Sequence, residues 1–227
     1  LKQAGLERHF ETMNRDAVLI AKECAQDAPH ACLTAGAIST TTFTGALDYS
    51  LLSSGDVAVA EYAHQAEIQA QAGAELIILE MMRDLEHTAY ALEGALASGV
   101  PVWIGFSCEV NGQGEPVLID TDIPLEQALH DIHLDKAQAV GIMHTLVEHT
   151  PAALDTLAKE WTGTSFAYPH AGRFEKPNWI FQDIISPEDF ANLGLGLLAQ
   201  GVDAVGGCCG ISPLHIKKLR ESVDSAP

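Results

Sequence analysis

The sequence predicts an α/β protein with a parallel sheet covered by helices, and three observations carry that expectation. Strand-like and helix-like stretches alternate along its 227 residues. The strand-like stretches are apolar throughout, as in strands buried on both faces, rather than alternating apolar with polar. Polar and sulfur-bearing residues gather just past the strand ends, at Glu80, Cys108, His144, Tyr168 and Cys208. An open doubly wound sheet and a (β/α)8 barrel both accommodate this order, and no glycine-rich dinucleotide loop is present. Barrel enzymes build their sites at such a rim.

Leu6, Phe10, Met13, Ala17, Ile20 and Ala21 recur at helical spacing and predict a helix over 6–24. A short apolar run over 31–38 reads as the first strand, and the polar, β-branched stretch 39–44 as a loop leaving it. A helical pattern over 56–73 stops at Gly73. The run 74–79 is a buried strand leading into Glu80, followed by helix over 84–98 and strand over 100–106. Helix is expected over 124–131, strand over 137–142, helix over 151–161 and strand over 165–168. A loop carrying Pro177, Asn178 and Trp179 leads to helix over 187–200, and a last strand begins near 202.

With 47% hydrophobic and 19% charged residues the chain belongs with soluble globular proteins. One domain with a full core is expected, since no linker, low-complexity tract or internal repeat divides it. A net charge of −19 argues against nucleic acid and anionic membranes as partners. No run has transmembrane length, and no signal peptide is evident. Five cysteines, unevenly spread, suit reduced thiols and a cytoplasmic setting better than a disulfide framework. The opening at Leu1, inside a helical pattern, reads as a fragment or a processed chain. The oligomeric state, homo-oligomer included, is left open.

The chemistry-bearing stretch is Gly206-Gly207-Cys208-Cys209-Gly210, followed by Ile211 and a helix opening at Ser212 with Pro213 in its first turn. Adjacent cysteines on a strand point to opposite faces. At a strand end, flanking glycines let the backbone turn so that both sulfurs converge on one ion. Two buried thiols or a vicinal disulfide are the alternatives.

Gly206 to Ile216 resembles the closing motif of the zinc-dependent homocysteine S-methyltransferase family, a GGCCG followed by Thr/Ser-Pro-x-His-Ile. Three further segments agree in order: 72–80, ending in Glu80; Gly105-Phe106-Ser107-Cys108; and Tyr168-Pro169-His170-Ala171-Gly172, similar to the family's Tyr-Pro-Asn-Ala-Gly. The resemblance implies a (β/α)8-type barrel whose first two βα units are absent from this chain. It also implies zinc-dependent transfer of a methyl group from a methylated small-molecule donor to a thiol, most naturally homocysteine to give methionine. Glu80, Tyr168 and His170 would line the substrate site. The family's first zinc cysteine sits in Gly-x-Asn-Cys, which reads here Gly141-Ile142-Met143-His144, so the implied metal set is His144, Cys208 and Cys209. His170 stands where the family has asparagine, and Ser39-Thr40 depart from its Gly-Ser-Ile-Gly-Pro. Other readings are a diverged member acting on another thiol or methyl compound, and a barrel that has lost its metal and with it catalysis.

Each residue also has a plainer reading. Cys108 reads as a buried structural thiol, and Cys24 and Cys32 as ordinary buried thiols. His9, His30, His64, His87, His130, His133 and His149 sit in polar or helical contexts and read as surface.

Overall fold

A computed structural model of the chain describes residues 5–40, 52–175, 178–182 and 184–226. The start at Leu1, most of the predicted 39–44 loop and Pro177 lie outside the described residues. The chain forms two compact units, residues 1–105 with 131–138, and residues 106–130 with 139–227.

The first unit runs α1 (Phe10–Gln26), β1 (Ala35–Ser39), α2 (Gly55–Gln71), β2 (Leu76–Met82), α3 (Leu85–Leu96) and β3 (Val102–Phe106). The strands lie in the order β1-β2-β3. β1 and β2 are parallel, in register from Ala35 opposite Leu76 to Ser39 opposite Glu80. Ile38, Ile77, Leu79, Val102 and Ile104 are buried, as continuously apolar parallel strands require. Asp84 starts α3 as its N-cap, accepting the His87 N–H at 2.6 Å. β1 begins later than the sequence suggests. The Glu75 N–H donates to the Thr34 carbonyl at 2.8 Å and the Glu75 carboxylate takes the Thr34 N–H at 2.9 Å, while residues 31–33 are exposed.

The second unit opens with the hairpin β4 (Cys108–Val110) and β5 (Pro116–Leu118), then α4 (Leu125–Asp131). It continues through β6 (Ala139–Leu146), α5 (Thr150–Glu160) and β7 (Thr164–His170). A second hairpin, β8 (Arg173–Glu175) and β9 (Asn178–Ile180), precedes α6 (Pro187–Ala199), β10 (Ala204–Val205) and α7 (Pro213–Asp224). β6, β7 and β10 lie side by side and are parallel. Proline stands in the first turn of α5, α6 and α7, where its missing N–H costs nothing.

The α/β class expected from the sequence is borne out: buried parallel strands, with helices between them. Four expectations are corrected. Asn178 and Trp179 are not loop residues but pair in β9, and the short hairpins have too few residues to show a period of two. Cys24 and Cys32 are exposed, because α1 buries only Val18 and Cys32 precedes the paired part of β1. His87 is buried rather than on the surface, held between Tyr62 and Tyr90 with its Nδ1 3.4 Å from the Tyr62 hydroxyl. The last strand begins later than expected, at Ala204–Val205, and the Asp203 carboxylate takes the Ser165 N–H at 2.8 Å just before it. Among the described residues no helix is long and apolar enough to cross a membrane.

Candidate metal centre

The centre is built from the ends of β6 and β10. β6 enters it as a run of buried residues, Ala139 to Thr145. After Met143 its register with β7 shifts, and Leu146 instead of Thr145 comes opposite His170. The extra length is a bulge, and its pivot is His144, at φ +43° in the left-handed region. A non-glycine residue there costs roughly 1–2 kcal/mol and persists only where the surroundings hold it. Thr145 does the holding. Its hydroxyl donates to the Met143 carbonyl at 3.0 Å and accepts the Cys108 N–H at 2.9 Å. The bulge turns the His144 imidazole inward, leaving the residue 8% exposed.

The cysteine pair follows β10. Its backbone continues along β7 through Gly206 N–H to Ala167 C=O at 2.8 Å and Cys208 N–H to Pro169 C=O at 2.8 Å. Ala171 N–H returns to Cys209 C=O at 2.9 Å, and Ile211 N–H closes a turn on Cys208 C=O at 3.1 Å. The glycines here are obligatory. Gly210 has φ +79°, and a Cβ on it would lie 2.3 Å from the Ala171 carbonyl oxygen. A Cβ on Gly207 would meet Ile211 at 2.2 Å. Because the pair lies past the strand, both sulfurs face one point, with Sγ of Cys208 and Cys209 3.8 Å apart and no disulfide joining them.

His144 Nδ1 lies 3.4 Å from Cys208 Sγ and 3.9 Å from Cys209 Sγ. A tetrahedral zinc ion with Zn–S of about 2.3 Å and Zn–N of about 2.0–2.1 Å separates two sulfurs by about 3.8 Å and a sulfur from a nitrogen by about 3.6 Å. The observed triangle therefore fits that donor set, and these three side chains form a group able to hold a metal ion. Hydrogen bonds with Cys208 and His144 hold the Cys209 thiol down at about 4, against the opposing effect of burial. Its ligand form, the thiolate, is the stable one at neutral pH.

His170, the last residue of β7, packs its ring on His144 with centroids 4.6 Å apart. Burial, reinforced by the His144 imidazole, holds it down at about 4, so the ring is neutral at pH 7. Trp179, carried in by β9, meets both rings edge-on, at 5.5 Å from His144 and 5.4 Å from His170, and stacks on Phe181 at 5.6 Å. Tyr168 stacks on Phe166 at 5.7 Å and lies opposite Met143 in the β6–β7 register. Glu80 belongs to the first unit, half-buried near the end of β2 opposite Ser39. It is followed by Met81 at φ +56°, a second left-handed residue near the end of a strand. Cys108 is buried as expected, and burial pushes its thiol up. A second cluster, Glu126, His130 and Glu160, lies at the surface, where His130 Nε2 is 3.2 Å from a Glu160 carboxylate oxygen.

Three residues support the centre, and of these only His215 has a signal in the sequence, as the histidine of the closing motif. Thr145 fixes the bulge, Trp179 arrives on an unforeseen hairpin, and His215 locks the helix after the cysteines. His215 Nδ1 accepts the Ser212 N–H at 3.1 Å, and its Nε2 donates to the Ile185 carbonyl at 2.9 Å. That reciprocal cap, with Pro213 between, sets the direction in which α7 leaves the cysteine loop.

The fold and the site define an α/β protein with a two-thiol, one-imidazole group able to hold a metal ion beyond its strand ends. A sequence model of the homocysteine S-methyltransferase family matches residues 1–223, and the chain belongs to that family. It is 26% identical over 167 residues to a selenocysteine Se-methyltransferase from Brassica oleracea var. italica, covering 71% of this chain and 47% of the relative. It is 25% identical over 166 residues to homocysteine S-methyltransferase 2 from Zea mays, covering 71% of this chain and 48% of that one. The chain thus spans about half the length of the curated relatives it matches. Among solved structures, the homocysteine methyltransferase MmuM from Escherichia coli in its apo form superposes with a TM-score of 0.69 at 21% identity. That match covers 93% of this chain and 74% of the other. The metallated form of MmuM gives 0.68 at 20% identity, covering 93% and 70%. Likeness at this identity speaks for the fold.

Proposed function

We propose that this chain is the metal-holding part of an S-methyltransferase that moves a methyl group from an activated small-molecule donor to a thiol, homocysteine first among them. The observation that carries the reading is the triangle of His144 Nδ1, Cys208 Sγ and Cys209 Sγ, with edges of 3.4, 3.8 and 3.9 Å. These residues would hold zinc, which when bound lowers the pKa of an acceptor thiol and so provides a nucleophile at neutral pH. The scaffold we infer is a (β/α)8-type barrel with a single domain, of which this chain supplies the later βα units.

The protein's own residues bind and orient. Cys208 and Cys209 present sulfur from a loop laced to β7, and His144 presents Nδ1 from a strained bulge, so little reorganisation accompanies metal binding. His170 and Trp179 wall the His144 side of the centre with rings and exclude water there. Tyr168 and His170 are assigned to the substrate, as is Glu80, whose carboxylate suits the amine of an amino-acid acceptor. Holding acceptor and donor in line is the main catalytic contribution of such a site.

Two thiolates and a neutral imidazole leave zinc with no net charge, whereas three thiolates leave it at −1. That difference favours a second reading, a member tuned to another soft acceptor such as a selenol. Zinc analysis of the purified protein against His144→Ala tests the ligand set, and unchanged zinc in the variant removes His144 from it. Methyl transfer from a panel of sulfonium, quaternary ammonium and methylated pterin donors to homocysteine tests the reaction. Stoichiometric zinc with no transfer to any thiol rejects the enzyme reading and leaves the metal site.

A further inference from the structure

His144 stands between two residues that are each tied to the opening of the β4–β5 hairpin. On one side the Ser107 hydroxyl donates to Met143 Sδ at 3.3 Å. On the other, Thr145 Oγ1 accepts the Cys108 N–H at 2.9 Å while donating to the Met143 carbonyl at 3.0 Å. The two ties link positions 36 and 37 apart in sequence. Ser107 and Thr145 are both 0% exposed, and Cys108 and Met143 are buried with them. The hairpin end is closed in turn by the Ile119 N–H on the Ser107 carbonyl at 2.9 Å and by the pairing of Cys108 with Leu118. Beyond the bulge, the Thr150 hydroxyl donates to the Leu146 carbonyl at 2.9 Å. A hydroxyl can donate one proton and also accept, and Thr145 spends both capacities on main-chain groups around the bulge.

We propose that Thr145 is a positioning residue through which the β4–β5 hairpin sets the metal affinity of the centre. The proposal rests on the metal centre assigned above. A backbone at φ +43° relaxes unless its neighbours hold it. Here the neighbours on both sides of His144 share one hydrogen bond, and the oxygen that makes it is pinned by an N–H from the hairpin. For the bulge to relax, Thr145 must turn and release Cys108. For the hairpin to shift, Thr145 must turn and release the bulge. A metal ion on His144 Nδ1 opposes both movements, so ion and hairpin stabilise one another, and by the same factor because coupling between two sites is reciprocal. The Ser107–Cys108 step, which supplies no ligand, thereby gains a part in the chemistry. Valine matches threonine in shape but lacks the hydroxyl, so Thr145→Val cuts this connection with little change in volume.

The test measures zinc affinity of the full chain by competition with a chromophoric chelator. Thr145→Val is expected to bind zinc about 10- to 100-fold more weakly, the range for a partner that orients a metal ligand, and Thr145→Ser to bind as the wild type does. A residue that acts through His144 has nothing to act on once the imidazole is gone. In a His144→Ala background, Thr145→Val is therefore expected to change affinity no further. Residue-resolved hydrogen exchange of the unmutated protein needs no variant and decides alone should Thr145→Val fail to fold. Exchange at the Cys108 amide is expected to slow by at least about 10-fold on zinc loading, the reciprocal of the affinity effect. Wild-type affinity in Thr145→Val, no recovery in Thr145→Ser, an equal loss in the His144→Ala background, or Cys108 exchange that ignores zinc overturns the proposal. If such a result comes with weakened zinc binding in His144→Ala, the three-residue centre stands without this role for Thr145. Unchanged zinc binding in His144→Ala overturns that centre and the proposal together.

Discussion

The left-handed backbone of His144 makes a prediction whose sign is unusual. Compare His144→Ala with His144→Gly in the metal-free protein. Both lose the imidazole, its contacts with His170 and Trp179, and its place in the metal set, so those effects cancel in the difference. What remains is a single Cβ at φ +43°. In an ordinary strand, glycine is less stable than alanine by roughly 0.5–1 kcal/mol. In the left-handed region the Cβ costs roughly 1–2 kcal/mol, so the order reverses and glycine leads by about 0.5–1 kcal/mol. For a chain of this size that is about 1–4 °C in Tm. Thermal melts of the two variants side by side, in chelator, measure it. Alanine equal to or more stable than glycine would refute the claim that this position carries strain, and with it the account of how the ring is aimed.

Other perturbations probe the rest of the centre. Gly210→Ala puts a Cβ 2.3 Å from the Ala171 oxygen, so its Tm should fall and zinc affinity should drop by about 10-fold or more, read by competition with a chromophoric chelator. In the metal-free protein Cys209 is held at about 4 by its hydrogen bonds with Cys208 and His144, so its alkylation by iodoacetamide should persist down to about pH 4. Because this thiol is depressed in the fold, its contribution to stability is fully present above the ordinary thiol range and is lost as pH falls through about 4. An ordinary profile with a midpoint near 8.5 would contradict the hydrogen-bonded pair. His215→Ala removes the Ser212 cap and leaves the Ile185 carbonyl without its donor, at a cost of about 1–3 kcal/mol in chemical denaturation, with zinc stoichiometry unchanged. Zinc at 100 times its Kd should stabilise the wild type by about 2.7 kcal/mol and leave a Cys208→Ser, Cys209→Ser double variant unmoved.

Read from residues alone, the chain already declares its class. Apolar runs such as 74–79 and 137–142 suit only strands covered on both faces, and proline at 151, 187 and 213 marks helix starts by local sterics. The cysteine pair between Gly207 and Gly210 is equally local, because a turn that only glycine can make is written in three or four neighbouring letters. The family's motifs carry the expectation that residue 144 belongs with residues 208 and 209. The tertiary structure decided what no short window contains. The register shift at Met143 depends on pairing with β7, and it is this shift that gives His144 its strained backbone and inward ring. Trp179 reaches the centre on a hairpin too short to show periodicity, and Cys24 is exposed because its helix buries one residue only. His170 resembles a loop residue until β7 is seen to extend to it and set its ring against His144. Helix starts and glycine turns are decided within a few residues of backbone. The proximity of two imidazoles and two sulfurs is decided by which strands pair, and in what register.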